Sequence, residues 1–195
     1  MNVFDYSEDD LRGIIRDVCQ HLAAAESGGE AVSLIIHALR RFTIYDLVKV
    51  GASIRAEVEK LPEPYKSRYR TYAQDLLTKY HELMSSIKEG VSFSITDKSL
   101  WKKYWQSAAE YLLIRDTDPR SQIANPAGRF FYRLVYAYVM LIAGKPGHPV
   151  GTPFPGGGRV REENGEILCP IRDKEKDLPE ALCNFCPAKQ DERCL

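Results

Sequence analysis

The chain has 195 residues, of which 44% are hydrophobic and 28% charged, and its 27 basic residues balance its 27 acidic ones. This length and composition predict one globular unit, with a small appendage at most, and exclude a disordered chain. The zero net charge argues against a general polyanion-binding protein. The start has no basic region followed by an apolar run, and the longest apolar stretch is too short to span a bilayer, so we expect a cytoplasmic protein that does not contact membranes.

Hydrophobic residues recur at helical spacing along most of the first 144 positions. Ser7 is a suitable N-cap for a first helix, and Thr43 for a third. The last helix of this region is apolar on most faces, which is typical of the centre of a bundle. The pattern predicts helices over residues 7–25, 31–42, 43–61, 65–88, 97–113 and 126–140.

The composition changes abruptly after residue 144. Residues 145–158 are rich in glycine and proline, which predicts a shaped loop because such a run cannot form a helix or a central strand. Asn164 and Gly165 then indicate a type I′ hairpin, which places Cys169 at the end of its second strand. A short last helix would place Cys183 and Cys186 one turn apart on the same face.

The predicted fold is therefore all-α. It is a bundle of about six helices over residues 1–144, with a small cysteine-rich, metal-bound tail over residues 145–195 that contains a β-hairpin and packs on the bundle. The tail is too short to have a core of its own, so we expect a metal to supply its folding free energy.

Five cysteines are distributed unevenly. Cys19 lies alone in the apolar stripe of the first helix, which favours a buried structural role. The other four have the pattern C-x13-C-x2-C-x7-C, and we expect them to act together as ligands of one cofactor: Cys169, Cys183, Cys186 and Cys194.

Three kinds of site compete for these four cysteines. Disulfides are disfavoured because the chain shows no secretory signal. Structural zinc sites usually carry two short cysteine pairs, whereas only Cys183 and Cys186 form one here. Uneven spacing suits a [4Fe–4S] cluster, whose ligands approach separate iron corners. The cluster is the main hypothesis, and zinc stays open as the alternative.

Several other residues could take part in such a site. His148, in the loop rich in glycine and proline, could contact the metal ligands or a substrate; a loop histidine exposed to water is the plainer alternative. Arg129 and Arg133 lie one turn apart on the most apolar helix and need partners, which could be an anionic substrate, the cluster, or a structural salt bridge with Asp116 or Asp118.

Basic residues interleaved with tyrosines suggest nucleic-acid binding as a further alternative. At helical spacing, however, tyrosines more often face the core and charges face water. The basic residues concerned are Arg40, Arg41, Lys66, Arg68 and Arg70, and the last three are interleaved with Tyr65, Tyr69 and Tyr72.

The tail motifs HPVGTPFPGG, CP and ALCNFCPAKQ resemble an uncharacterised family of methanogenic archaea, domain of unknown function 2115. The resemblance covers most of the chain and implies no activity. It implies a strictly anaerobic cytoplasm in which an exposed cluster survives, and this favours iron–sulfur over zinc.

Together these observations predict an iron–sulfur protein with a redox, assembly or accessory function in anaerobic metabolism and with protein partners. The alternative is a zinc-stapled module that binds protein or nucleic acid without catalysis. An enzyme that uses His148 and its loop as a substrate lid is a third hypothesis, because the sequence does not decide whether the chain is catalytic.

Overall fold

The computed structural model describes residues 3–86, 92–113 and 126–194. In these ranges, six helices of 12 to 17 residues and one short helix form most of the molecule, so the prediction of a mostly helical protein is confirmed. The helices are α1 (Glu8–Ala24), α2 (Gly28–Leu39), α3 (Ile44–Glu59), α4 (Tyr65–Tyr69), α5 (Asp75–Ser86), α6 (Lys98–Leu113) and α7 (Pro126–Ala137).

The predicted N-caps begin the helices where the sequence places them. The Ser7 hydroxyl accepts the Asp10 N–H at 3.2 Å at the start of α1. At the start of α3, Thr43 and Asp46 form a capping box in which each side chain accepts the other residue's backbone N–H. Each cap satisfies donors that the first helical turn leaves without partners.

The core is built around α7, whose buried residues occupy nearly every face, as its apolar sequence predicts. Phe131 of this helix contacts the rings of Phe42 and Tyr80 at 5.1 and 5.3 Å. From α6, Trp101 donates its indole N–H to the Leu22 carbonyl of α1 at 2.6 Å, which satisfies a buried polar group. None of the helices in the described ranges combines the length and the apolar character needed to cross a membrane.

The prediction of one continuous helix over residues 65–88 is wrong. α4 passes into a 3-10 turn (Arg70–Tyr72), and α5 starts only at Asp75. A β-carbon on Gly151 would lie 2.4 Å from the Tyr72 hydroxyl oxygen, so this interruption sits tightly against the tail. Periodicity cannot predict such a break, because a distant segment packs against it.

The tail folds as a small three-stranded sheet. β1 (Arg161–Glu163) and β2 (Glu166–Cys169) form the predicted hairpin, with φ of 54° at Asn164 and 78° at Gly165, as a type I′ turn requires. The sheet has a third strand that the sequence did not predict, β3 (Lys189–Gln190), which pairs parallel to β2.

Two expectations about the tail need correction. The helix predicted to carry Cys183 and Cys186 is a 3-10 helix (Leu182–Phe185), and Cys186 follows it directly instead of lying on it. The tail also has a small buried cluster of its own, so a metal would not be the sole source of its folding free energy. The cluster consists of Phe154, Val160, Cys169 and Ala188.

Two adjacent glycines at the start of α2 provide a matched test of this packing. A β-carbon on Gly28 would lie 2.4 Å from the backbone of Phe93, whereas one on Gly29 would meet nothing within 4 Å. We expect Gly28→Ala to lower the free energy of unfolding by about 2 kcal/mol through overpacking. Gly29→Ala should be neutral or slightly stabilising, because alanine favours helix. Urea unfolding of both variants measures the difference, and equal stabilities would contradict the close approach to Phe93.

Candidate metal centre

Every cysteine of the chain has a free thiol, so the disulfide alternative is not realised in this fold. Cys19 is buried in the helical core, as expected, and burial raises the pKa of its thiol to about 12. This thiol belongs to the apolar packing of α1.

Cys169 ends β2 and is buried between the sheet and the segment that follows it. The backbone N–H groups of Ile171 and Arg172 donate to its sulfur, while Pro170 between them and the cysteine has no N–H. Burial raises the pKa of the Cys169 thiol above its ordinary value, although these donors act in the opposite direction. Two donors directed at one sulfur favour its charged, metal-binding form.

Cys183 and Cys186 are placed by the 3-10 helix. The Cys186 N–H donates to the Cys183 carbonyl at 3.1 Å, and the Gly147 N–H donates to the Cys186 sulfur at 3.4 Å. Burial, together with Glu175, Cys169 and Cys186, raises the pKa of the Cys183 thiol to about 11. The three thiols of Cys169, Cys183 and Cys186 are thus close enough to interact electrostatically.

Cys194 ends a short 3-10 helix (Glu192–Cys194) at the end of the tail. Its sulfur is 3.8 Å from an oxygen of Asp191, whose pKa is held at about 2, mainly by the side-chain hydrogen bond from Arg161. A β-carbon on Gly158 would lie 3.3 Å from the Cys194 sulfur and 2.9 Å from Pro170. Cys194 therefore sits beside the residue that follows Cys169.

The described ranges contain no group of three or more Cys, His, Asp or Glu side chains arranged to hold a metal ion. The donor set nevertheless fits a metal that prefers sulfur, because four thiols lie in one tail and two of them accept backbone N–H groups. The four-cysteine ligand set stays a prediction.

Arg133 connects α7 to the cysteine-bearing segment. One guanidinium nitrogen donates to the Glu180 carbonyl, and the group lies over the rings of Tyr104 and Tyr111 at 5.6 and 5.2 Å. Arg129 also lies over Tyr111, at 5.3 Å. Arg129 and Arg133 therefore lie where the segment that leads to Cys183 packs against the bundle.

The predicted salt-bridge partners of these arginines, Asp116 and Asp118, lie outside the described residues. Arg133 is only 4% exposed, and its Nη1 has no hydrogen-bond partner in the part of the chain that the structure describes. The Nε of Arg129 is also buried and has no hydrogen-bond partner among the described residues. The choice between a salt bridge and an anionic ligand stays open.

His148 is half-buried and not freely exposed, because its ring packs edge-on against Phe154 with the centroids 5.2 Å apart. It neighbours Gly147, which bonds to Cys186, so it lies close to a candidate ligand without bonding to it. Burial, together with the nearby Lys79, lowers the pKa of His148 to about 4.

This low pKa predicts a dependence of stability on pH. The unfolded chain takes up a proton at His148 near its ordinary pKa of 6.5, whereas the folded chain resists protonation down to about 4. The stabilisation is complete above pH 6.5 and is lost as the pH falls toward 4. We expect His148→Gln to lose less stability than the wild type between pH 7 and 4.5, by on the order of 2 kcal/mol.

Urea unfolding at both pH values measures this difference. The exposed His21 provides the control, since His21→Gln should keep the wild-type pH dependence. A His148→Gln protein with the wild-type dependence would contradict the burial of this imidazole.

Sequence reasoning missed two polar residues beside this centre. Lys79 is buried and forms an ion pair with Asp75 at 2.5 Å. Its Nζ donates to the Gly147 carbonyl at 2.6 Å. The one available signal was a lysine inside the apolar stripe of α5, which is easily interpreted as a surface residue when helical boundaries are uncertain.

The basic residues considered for nucleic-acid binding are partly neutralised. Lys66 and Arg70 both form ion pairs with Glu59, at 3.7 and 2.7 Å. The rings of Tyr65 and Tyr69 lie 5.5 Å apart. A shared carboxylate reduces the positive potential that would attract phosphate groups.

Comparison with known proteins confirms the family resemblance. Residues 27–191 match the family described as "Uncharacterized protein conserved in archaea (DUF2115)". A UPF0305 protein of Methanothermobacter thermautotrophicus is 34% identical over 160 residues, which cover 80% of this chain and 94% of that protein. A UPF0305 protein of Methanococcus maripaludis strain C5 is 28% identical over 153 residues, covering 75% and 86%.

A more distant relative, a UPF0305 protein of Methanocaldococcus jannaschii, is 25% identical over 153 residues, covering 77% of this chain and 88% of that protein. No solved structure matches the chain. The helical fold with its cysteine-bearing tail therefore represents an archaeal family of uncharacterised proteins. The chain belongs to the DUF2115 family, whose relatives here are UPF0305 proteins.

Proposed function

We propose that this protein is a cytoplasmic iron–sulfur protein that binds a [4Fe–4S] cluster through Cys169, Cys183, Cys186 and Cys194 and has a redox or accessory role in anaerobic metabolism. The observation that carries the proposal is that Cys186 packs against both the helical core and the buried cluster that contains Cys169, while its sulfur accepts the Gly147 N–H. Backbone N–H groups also favour the charged form of the Cys169 sulfur.

This arrangement is electrostatically costly for free thiolates. Burial raises the pKa of Cys169 and Cys183, and neighbouring cysteines raise both further. Backbone N–H groups that point at buried sulfurs stabilise them when they are negatively charged thiolates. Bound iron or zinc would supply positive charge, which stabilises several thiolates within one buried site.

The position of Cys194 bears on the type of metal. Its sulfur lies beside Gly158, which also approaches Pro170, the residue after Cys169. A cluster several ångströms across accommodates ligands from separate segments better than one zinc ion does, with its Zn–S bonds of about 2.3 Å. Because four cysteines leave no iron with an open position, the proposal favours electron transfer or structural stabilisation over Lewis-acid catalysis.

The test is metal and sulfide analysis of the chain purified without oxygen, together with its visible absorption spectrum. We expect about four irons and four sulfides per chain and a broad brown absorption. One zinc per chain without sulfide would replace the cluster by a structural zinc site and direct attention to protein or nucleic-acid binding. Absence of both metals from the folded chain would overturn the proposal.

A further inference from the structure

A buried lysine stands next to the candidate metal centre and bonds to the loop that contacts Cys186. Lys79 on α5 is only 7% exposed, its Nζ lies 2.5 Å from an oxygen of Asp75, and it lies 5.1 Å from the centre of the Tyr136 ring. A lysine is almost never this buried without partners, and these hold its ammonium group in one place.

Gly147 connects this lysine to the cysteine. Its carbonyl accepts the Lys79 ammonium at 2.6 Å, and its N–H donates to the Cys186 sulfur at 3.4 Å. Residues 146–148 belong to no helix or strand, so no regular backbone ladder determines where this N–H points. The bond from Lys79 therefore anchors the residue whose N–H donates to the sulfur.

The charges of Lys79 and Asp75 compensate each other, so the pair adds little net field at the sulfur. Its influence passes mainly through the orientation of Gly147. An N–H donor stabilises negative charge on a ligand sulfur, and the reduced form of a cluster carries one more electron than the oxidised form. The donor consequently favours the reduced form.

We propose that Lys79 is a positioning residue that holds the Gly147 N–H against the Cys186 sulfur and thereby raises the reduction potential of the bound cluster. This inference rests on the proposed function for its redox part only. The positioning of Gly147 is a property of the polypeptide and can be tested with any metal content.

The first arm of the experiment measures hydrogen exchange of the Gly147 amide at residue resolution in the protein as purified. Lys79→Met should increase the exchange rate at Gly147 by about tenfold or more, because the loop loses the bond that holds the Gly147 carbonyl and, with it, the position of the N–H beside the Cys186 sulfur. Lys79→Arg should retain most of the protection, since a guanidinium can keep both bonds. Lys145→Met is the matched control, because Lys145 is exposed and pairs with Glu82 at 3.6 Å.

The second arm titrates the cluster with mediator dyes in the same proteins. In Lys79→Met, we expect the ratio of reduced to oxidised cluster at a fixed solution potential to fall about tenfold, which is about 59 mV for a one-electron couple. Lys79→Met leaves Asp75 as an uncompensated carboxylate, so the double variant Asp75→Asn with Lys79→Gln removes both charges. It should show the same two changes in a protein that folds more readily.

The outcomes separate this inference from the proposed function. Unchanged exchange at Gly147 in both Lys79→Met and the double variant overturns the positioning role, whatever metal is bound. Faster exchange with an unchanged potential overturns the redox effect. A wild-type protein without a cluster overturns the proposed function and the redox effect together, and the exchange measurement then decides the positioning role alone.

Discussion

Replacing Cys186 with serine is expected to remove most of the iron from the protein. Cys186 contacts both the helical core and the small cluster of the tail, and its sulfur accepts the Gly147 N–H. A serine hydroxyl is a harder and less acidic ligand than a thiol, and it should not hold iron or zinc in this place. We expect the iron content to fall from about four per chain to less than half of that.

Iron and sulfide analysis beside the visible spectrum measures the loss. Cys19→Ala is the matched control, because Cys19 is a buried cysteine in the core of the bundle and should be dispensable for metal. A Cys186→Ser protein with full metal content would show that the ligand assignment is wrong.

The same measurement on Cys194→Ser tests the fourth predicted ligand. Cys194 contacts Asp191 and neighbours Gly158. A loss as large as that of Cys186→Ser would support Cys194 as a member of the ligand set. Unchanged iron content would reduce the set to three cysteines and leave one iron open to another ligand.

The second large effect is expected from Phe185→Ala, which should detach the tail from the bundle. Phe185 is 2% exposed and packs edge-on against Tyr104 of α6, with the ring centroids 5.0 Å apart. It lies between Cys183 and Cys186, so its anchor also positions both thiols. Truncation of a buried phenylalanine to alanine removes about 3 kcal/mol of stability.

Urea unfolding measures the loss of stability, and limited proteolysis shows whether the tail becomes accessible. Leu178→Ala is the control, because Leu178 is 50% exposed in the same segment and its truncation should change little. A Phe185→Ala tail that resists proteolysis as well as the wild type would contradict its role as an anchor.

Much of the helical framework follows from local sequence. Ser7 and Thr43 begin helices because their hydroxyls satisfy free N–H groups within three residues. Asn164 and Gly165 form the predicted turn because both adopt positive φ at low cost. These features depend on neighbours in the chain, and this is why patterns of a few residues predict them.

The candidate site could be predicted only in part. The spacing of the four cysteines indicates that they act together, but it contains no information on which of the thiols are neighbours in the fold. In the structure, Cys186 packs against the buried cluster that contains Cys169, and the Cys194 sulfur lies beside Asp191. Lys79 escaped prediction because its bond to Gly147 joins residues that are 68 positions apart.

The sequence by itself determined the helical class, the starts of α1 and α3, the hairpin and the family to which the chain belongs. The tertiary structure decided the interruption between α4 and α5, the parallel pairing of β3 with β2, and the buried Lys79. The physical reason is the range of the interactions. Caps and tight turns are stabilised within a few residues, whereas the tail takes its place through packing and hydrogen bonds with helices far away in the chain.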